Sequence, residues 1–294
     1  MEDHYSTEVE IANQPHNLPI HATSETCSGR TFIVIGANTG LGLEAARSLV
    51  AAGSAKVIMG VRNISAGETA KADIENTTGK TGIASVWLID LSSYDSVKAF
   101  AKKALTELDR IDALIENAAV AVAQRVLAEG HLVPVTVNVF STFLLAVLLL
   151  PRMSADAKRF GILPHISIIS SGASFDFEKA WNTIKSDPIT KMEDESSPVM
   201  ATYPLTKLLE ILAVRYLAPV LPVSRTGVVI NTVNPGLCKT ELGRNAPPEF
   251  RQQLAEKHAR YGRTAEDGSR TLLHGALAGK DSHGSYLSSC TIAE

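Results

Sequence analysis

Tyr203 and Lys207 stand four residues apart in the segment Ala201-Thr-Tyr-Pro-Leu-Thr-Lys207. On an α-helix that spacing places both side chains on one face. An ammonium beside a phenol favours the phenolate, which predicts a tyrosine pKa drawn down toward the working range of an acid-base catalyst. Tyr-x-x-x-Lys also occurs in unrelated chains, where it is a plain surface pair. Two other features give it weight here. The glycine-rich stretch Ile35-Gly-Ala-Asn-Thr-Gly-Leu-Gly42 follows one apolar run, and another, His165–Ile169, ends in Ser170 and Ser171.

A glycine turn between a strand and a helix lets backbone approach a pyrophosphate, and the helix N-terminus supplies N–H donors and positive potential. The spacing is Gly-x-x-x-Gly-x-Gly rather than the commoner Gly-x-Gly-x-x-Gly. Gly36, Asn38, Thr39, Gly40, Leu41 and Gly42 are the candidate dinucleotide contacts; the alternative is an ordinary strand-helix turn. NAD sites place a carboxylate at the end of the second strand for the adenosine ribose. That strand here ends Met59-Gly-Val-Arg62-Asn63, with an arginine and no acid. A guanidinium can clamp a 2′-phosphate, so Arg62 favours NADP(H) over NAD(H). A solvated surface arginine is the rival reading.

These residues need a scaffold. Strand-length apolar runs at 31–35, 56–59, 83–89, 111–115, 165–169 and 228–233 alternate with helical patterns at 40–52, 66–76, 93–108, 135–150 and 203–217. Nearly continuous β-branched runs describe strands buried on both faces, and the alternation implies right-handed βαβ units. The expected fold is α/β, a single-domain doubly wound parallel sheet (Rossmann) flanked by helices and covering 29–294. Residues 1–28 read as a flexible N-terminal extension. The irregular segments are a loop at 172–198, suited to a substrate, and a lid-like segment at 237–262.

Composition narrows the function further. Hydrophobic residues make up 45% and charged residues 20%, with a net charge of −3, so nothing points to nucleic acid or an anionic membrane as partner. Cys27, Cys238 and Cys290 lack disulfide or metal spacing. The first 28 residues contain no Lys or Arg, unlike a signal or transit peptide. The most apolar stretch, 143–150, is shorter than the ~20 residues a bilayer needs, and Pro151 is expected to close its helix. A soluble, cytoplasmic protein without a membrane span is expected.

With the glycine turn, Asn117-Ala-Ala119, the Ser170-Ser171 strand end and Tyr203-x-x-x-Lys207 in this order, the chain resembles the short-chain dehydrogenase/reductase family over about 29–287. It looks most like the retinol-dehydrogenase-like branch, in the style of fungal biosynthetic reductases. The resemblance implies that Tyr203 is the general acid or base and that Lys207 binds the nicotinamide ribose and lowers the tyrosine's pKa. It implies that Ser171 hydrogen-bonds the substrate oxygen and that Asn138 holds a water in a proton relay. Asp90, followed by Leu91, matches the carboxylate that bonds the adenine amino group. Asn117 and Ala118 match the cofactor floor, and Pro235, Gly236 and Thr240 match the loop along the nicotinamide. Asn138 and Asp90 could instead cap helices.

There are departures. The family's Asn-Asn-Ala-Gly is Glu116-Asn-Ala-Ala119 here, and Ser171 and Tyr203 are unusually far apart. The added residues include Phe175, Phe177, Trp181, Ile184 and Met192, apolar surface able to cover a hydrophobic substrate. The reading is an NADPH-dependent reductase of a ketone or aldehyde on a mostly apolar small molecule, with no metal. Its rivals are a cofactor-binding cyclase or isomerase, and a non-enzymatic NADPH sensor. Apolar faces on the helices at 138–150 and 203–217 point to a homodimer or homotetramer.

Overall fold

The computed structural model describes residues 7–293. Eight strands form one sheet: β1 Thr31–Ile35, β2 Lys56–Val61, β3 Ala84–Leu88, β4 Ala113–Glu116, β5 His165–Ile169, β6 Val229–Asn234, β7 Tyr286–Ser288 and β8 Thr291–Ala293. Their spatial order is β3-β2-β1-β4-β5-β6-β7-β8, all neighbours parallel except the antiparallel β7–β8 pair. The doubly wound sheet expected from the strand-helix alternation is present, with the β8 hairpin return added at one edge.

Ten helices matter here: α1 Thr7–Asn13, α2 Gly40–Ala51, α3 Ile64–Thr78, α4 Tyr94–Glu107, α5 Thr142–Phe160, α6 Glu178–Ile184, α7 Pro188–Glu193, α8 Val199–Val220, α9 Pro248–Tyr261 and α10 Ala265–Leu277. Side chains of Asn63, Ser93 and Thr264 cap α3, α4 and α10 by accepting from backbone N–H groups two or three positions on. One apolar layer joins the sheet to α2, α3 and α10, and a second joins it to α4, α5 and α8. Fully buried strand residues such as Ile33 and Ile58 each contribute about 1.5–3 kcal/mol through that burial.

The structure corrects several expectations. Pro151 does not end its helix. A π-helical stretch, Val135–Ser141, runs directly into α5, which continues through Pro151 to Phe160. The missing N–H would have faced the carbonyl of Val147, and Val147 is exposed, so water can replace the lost bond. By length and composition alone, this 26-residue run could cross a bilayer. It is nevertheless a packing helix, with Leu145, Leu149 and Met153 fully buried against the sheet. Pro204, expected in a first turn, lies in the second turn of α8, where its helical acceptor would be the exposed Met200.

The segment 172–198 is not an irregular loop. It folds as a 3-10 turn, α6 and α7, with Ile184 and Met192 buried in a satellite core against Leu132, Val135 and Leu205. Phe175 stacks edge-on against Tyr286 at 5.3 Å.

Residues 7–28 also differ from the expected flexible extension. They pack as a strap across the C-terminal edge of the sheet. The Thr7 hydroxyl donates to the carbonyl of Gly172 (3.2 Å), and Asp267 accepts from the backbone N–H of Leu18 (2.7 Å). Gln14, almost fully buried, donates to the carbonyls of Leu237 (3.0 Å) and Tyr261 (2.7 Å) and accepts from the Leu237 N–H (2.9 Å). These tertiary bonds carry no mark in local sequence. Gln14→Ala strands three backbone groups in a low-water setting. It should lower stability by about 1–3 kcal/mol, read from the urea midpoint, and speed proteolytic cleavage within 237–262.

Candidate active site

The chain reverses its winding direction between β1 and β4, and a cleft of about 580 Å³ opens at the C-terminal ends of these strands. Gly36 leaves β1 with φ +77 and Gly40 enters α2 with φ +59, a backbone path that only glycine follows without strain. Gly42 serves close packing: a Cβ there would stand 2.4 Å from the carbonyl oxygen of Gly36. Asn117 pins the turn by donating its side-chain N–H groups to the carbonyls of Ile35 (3.0 Å) and Gly36 (3.2 Å). Thr39 makes no side-chain cap on α2, leaving the first N–H groups of that helix to a ligand.

Gly36, Asn38, Thr39, Gly40, Leu41, Arg62, Asp90, Leu91, Asn117, Ala118, Tyr203, Lys207, Pro235 and Thr240 all line this cleft. Arg62 is exposed at the end of β2, next to the N-terminus of α3. Asp90 turns Oδ1 back to the N–H (2.9 Å) and hydroxyl (2.7 Å) of Ser92, while Ser93 is the cap of α4. Gly42 packs behind the turn. Gly236, at φ +74, meets Gln14 of the strap, where an added Cβ would lie 2.4 Å from Gln14 Oε1.

At the far end stand the acid-base residues. Ser170 is structural, its hydroxyl donating to the carbonyl of Lys207 at 2.7 Å. Ser171 caps the following 3-10 turn, accepting from the N–H of Ala173 (3.3 Å), and its hydroxyl faces the Tyr203 phenol. Lys207 is 2% exposed; its ammonium donates to the carbonyl of Ile169 and to Glu210, both at 2.7 Å. Asn138 lies wholly buried, outside the cleft lining, in the π-helical stretch. Its amide accepts from the N–H of Val120 (2.9 Å) and donates to the Val120 carbonyl (3.1 Å) and the Thr206 hydroxyl (3.0 Å). The side chain is thus a clamp between the β4 loop and α8, where the resemblance implied a water holder.

The electrostatics reverse one expectation. Burial of the phenol pushes the Tyr203 pKa up, the negative charge of Glu210 adds to the rise, and the Ser171 hydroxyl opposes it. Lys207 does not lower it, because its ammonium is already engaged by Glu210 and sits 6.0 Å from the ring centroid. The phenol keeps a proton it can donate, although a raised pKa makes it a weaker acid than an unperturbed tyrosine. No group of metal ligands exists among the described residues.

Glu116 and Glu210 are functional candidates that motif reading missed. Glu210 was legible as a carboxylate three residues from Lys207, on the same helical face. Glu116 stood in plain view as the departure from the usual asparagine. Glu241 and Arg244 also line the cleft, but they come from the segment after β6, whose path no local pattern sets.

These residues fit a dinucleotide. A side chain at Gly42 would fill the cradle, the helix N-terminus is uncapped, and a cation and a carboxylate stand along the cleft from the acid-base pair. A family model for short chain dehydrogenase matches residues 30–182. The short chain dehydrogenase/reductase dmxR8 of Cryptosporiopsis sp. (strain 8999) is 42% identical over 270 residues, covering 90% of this chain and 82% of the relative. The short chain dehydrogenase atnD of Emericella nidulans is 36% identical over 275 residues, covering 90% and 85%. Among solved structures, a 3-oxoacyl (acyl-carrier-protein) reductase from Agrobacterium tumefaciens C58 with NADP bound shares the fold (TM-score 0.69, 20% identity, coverage 92% and 96%).

Gly42→Ala must separate α2 from the glycine turn, since backbone rather than a flexible side chain meets the new methyl. A cost of about 1–3 kcal/mol is expected, together with NADPH binding weakened ~10-fold or more, measured by calorimetry and fluorescence titration.

Proposed function

Because the chain belongs to the short-chain dehydrogenase/reductase family of NAD(P)-dependent oxidoreductases, we propose that it is an NADPH-dependent reductase of a ketone or aldehyde on a mostly apolar small molecule. The observation that carries this reading is that the Tyr203 phenol, with Lys207 one turn on, lines the same cleft as the glycine turn, Arg62 and Asp90. Bound NADPH supplies the hydride. Tyr203 donates its proton to the carbonyl oxygen, and the Ser171 hydroxyl holds that oxygen and polarises the bond. Lys207 binds the nicotinamide ribose, and Asn138 fixes α8 so that both groups keep their places.

NADPH is preferred to NADH because Arg62 ends β2 where a ribose-binding acid would otherwise stand. The adjoining N-terminus of α3 adds positive potential for a 2′-phosphate. The segment 172–198 forms one wall of the substrate space, and 237–262 is the lid, held by the strap. The relatives' fungal origins support a secondary metabolite as substrate. Exposed Val147 on α5, with Tyr216 and Val220 on α8, supports a homodimer or homotetramer. Three buried free cysteines suit a reducing cytoplasm.

Tyr203→Phe should lower kcat by ~10²–10⁴-fold against a panel of apolar ketones while NADPH affinity stays within ~3-fold, since an acid is lost and no cofactor anchor. Turnover close to that of the unaltered protein would refute the mechanism. Arg62→Glu should weaken NADPH ~10-fold or more and leave NADH nearly unaffected, on a charged hydrogen bond of roughly 1.5–3 kcal/mol. Equal losses for both cofactors would refute the preference.

A further inference from the structure

Two carboxyl groups stand behind Lys207, and neither lines the cleft. Glu116, the last residue of β4, is 2% exposed; Glu210, three residues beyond Lys207 on α8, is 1% exposed. Alternation along β4 sends Ile115 to the α2 side and Leu114 and Glu116 to the α5–α8 side. The register sets Glu116 between Ile35 of β1 and Ile168 of β5, both apolar and fully buried. Neither oxygen of Glu116 has a hydrogen-bond partner among the described residues. An unpaired carboxylate in such a layer is strongly disfavoured unless it keeps a proton or shares one.

The groups facing this pair are few. Lys207 and Glu210 face Glu116; Lys207, the Ser170 hydroxyl and Tyr203 face Glu210. Two ionised carboxylates against one ammonium would leave a net negative charge in a dry layer. One protonated carboxyl and one carboxylate against the ammonium leave the site neutral.

We propose that Glu116 keeps its proton while Glu210 is ionised against Lys207, and that the two act as positioning residues for Lys207, balancing its charge and setting where its ammonium points. The inference rests on the reading of Lys207 as the ribose-binding residue. Loss of the Glu116 proton at high pH doubles the negative charge behind Lys207 and draws the ammonium away from the cleft. Burial pushes both carboxyls up, Glu210 to about 7; the charge of Glu210 adds to the rise at Glu116, while Lys207 opposes both. Groups shifted this way make the folded protein bind more protons than the unfolded chain. Their contribution to stability therefore falls as pH rises from the ordinary carboxylate range through 7.

The test uses the full chain labelled with [13C]glutamate. Infrared spectra of the wild type at pH 7 should contain an isotope-sensitive carbonyl stretch from a protonated carboxyl group. Glu116→Gln should lose it, because Glu210 pairs with Lys207 as a full carboxylate. In parallel, the Kd for NADPH, titrated by fluorescence, should rise up to about tenfold from pH 6 to pH 9 in the wild type, and Glu116→Gln should remove that rise. A wild type with no such stretch, a stretch that survives Glu116→Gln, or the same pH dependence of Kd in both proteins would overturn the proposal. Should Glu116→Gln fail to fold, Glu116→Met removes the charge without leaving a polar group and is read the same way. Neither readout uses a carbonyl substrate. A protein that passes both tests but reduces no carbonyl refutes the reductase reading and leaves the pair standing.

Discussion

A buried ammonium constrains the rest of the site. Lys207 is almost without solvent exposure, so its charge must be met by protein groups or not exist. The end of β5 meets it with the carbonyl of Ile169, and α8 meets it with Glu210. The first of these contacts ties α8 to the strand end, and the second holds the ammonium from within the helix. Ser170 reinforces the same junction by bonding the backbone of Lys207. Tyr203, one turn earlier on α8, is thereby set against Ser171. Tyr203 and Ser171 are brought together where a buried cation is satisfied.

The cofactor half of the site depends on steric closeness instead. Gly36, Gly42 and Asn117 bring β1, α2 and the end of β4 so near one another that a methyl group would not fit. Asn138 does comparable work deeper in the molecule, tying the loop after β4 to Thr206 of α8. The two halves of the cleft are therefore one rigid frame. Above it, the segments at 172–198 and 237–262 are joined by the N-terminal strap, whose Thr7 and Gln14 reach one each.

The local code was legible where the chemistry is local. Periodicity revealed β1 to β6, because a strand buried on both faces must be apolar throughout, but not the short edge strands β7 and β8. The glycine turn, Arg62, Asp90 and Tyr203-x-x-x-Lys207 were legible because turn geometry and helical spacing act over a few residues, and all line one cleft. The course of the helix through Pro151 was not. A proline's cost depends on whether the carbonyl it deserts faces water, and that is known only after packing.

Sequence by itself determined the fold class, the strand-helix order and the residue types available for acid-base work and dinucleotide binding. Tertiary structure alone decided the protonation chemistry. The placing of Glu116 in an apolar layer and the upward push on Glu210 and Tyr203 arise from burial between elements distant in the chain. Desolvation is a property of the assembled surroundings, and no spacing of letters records it.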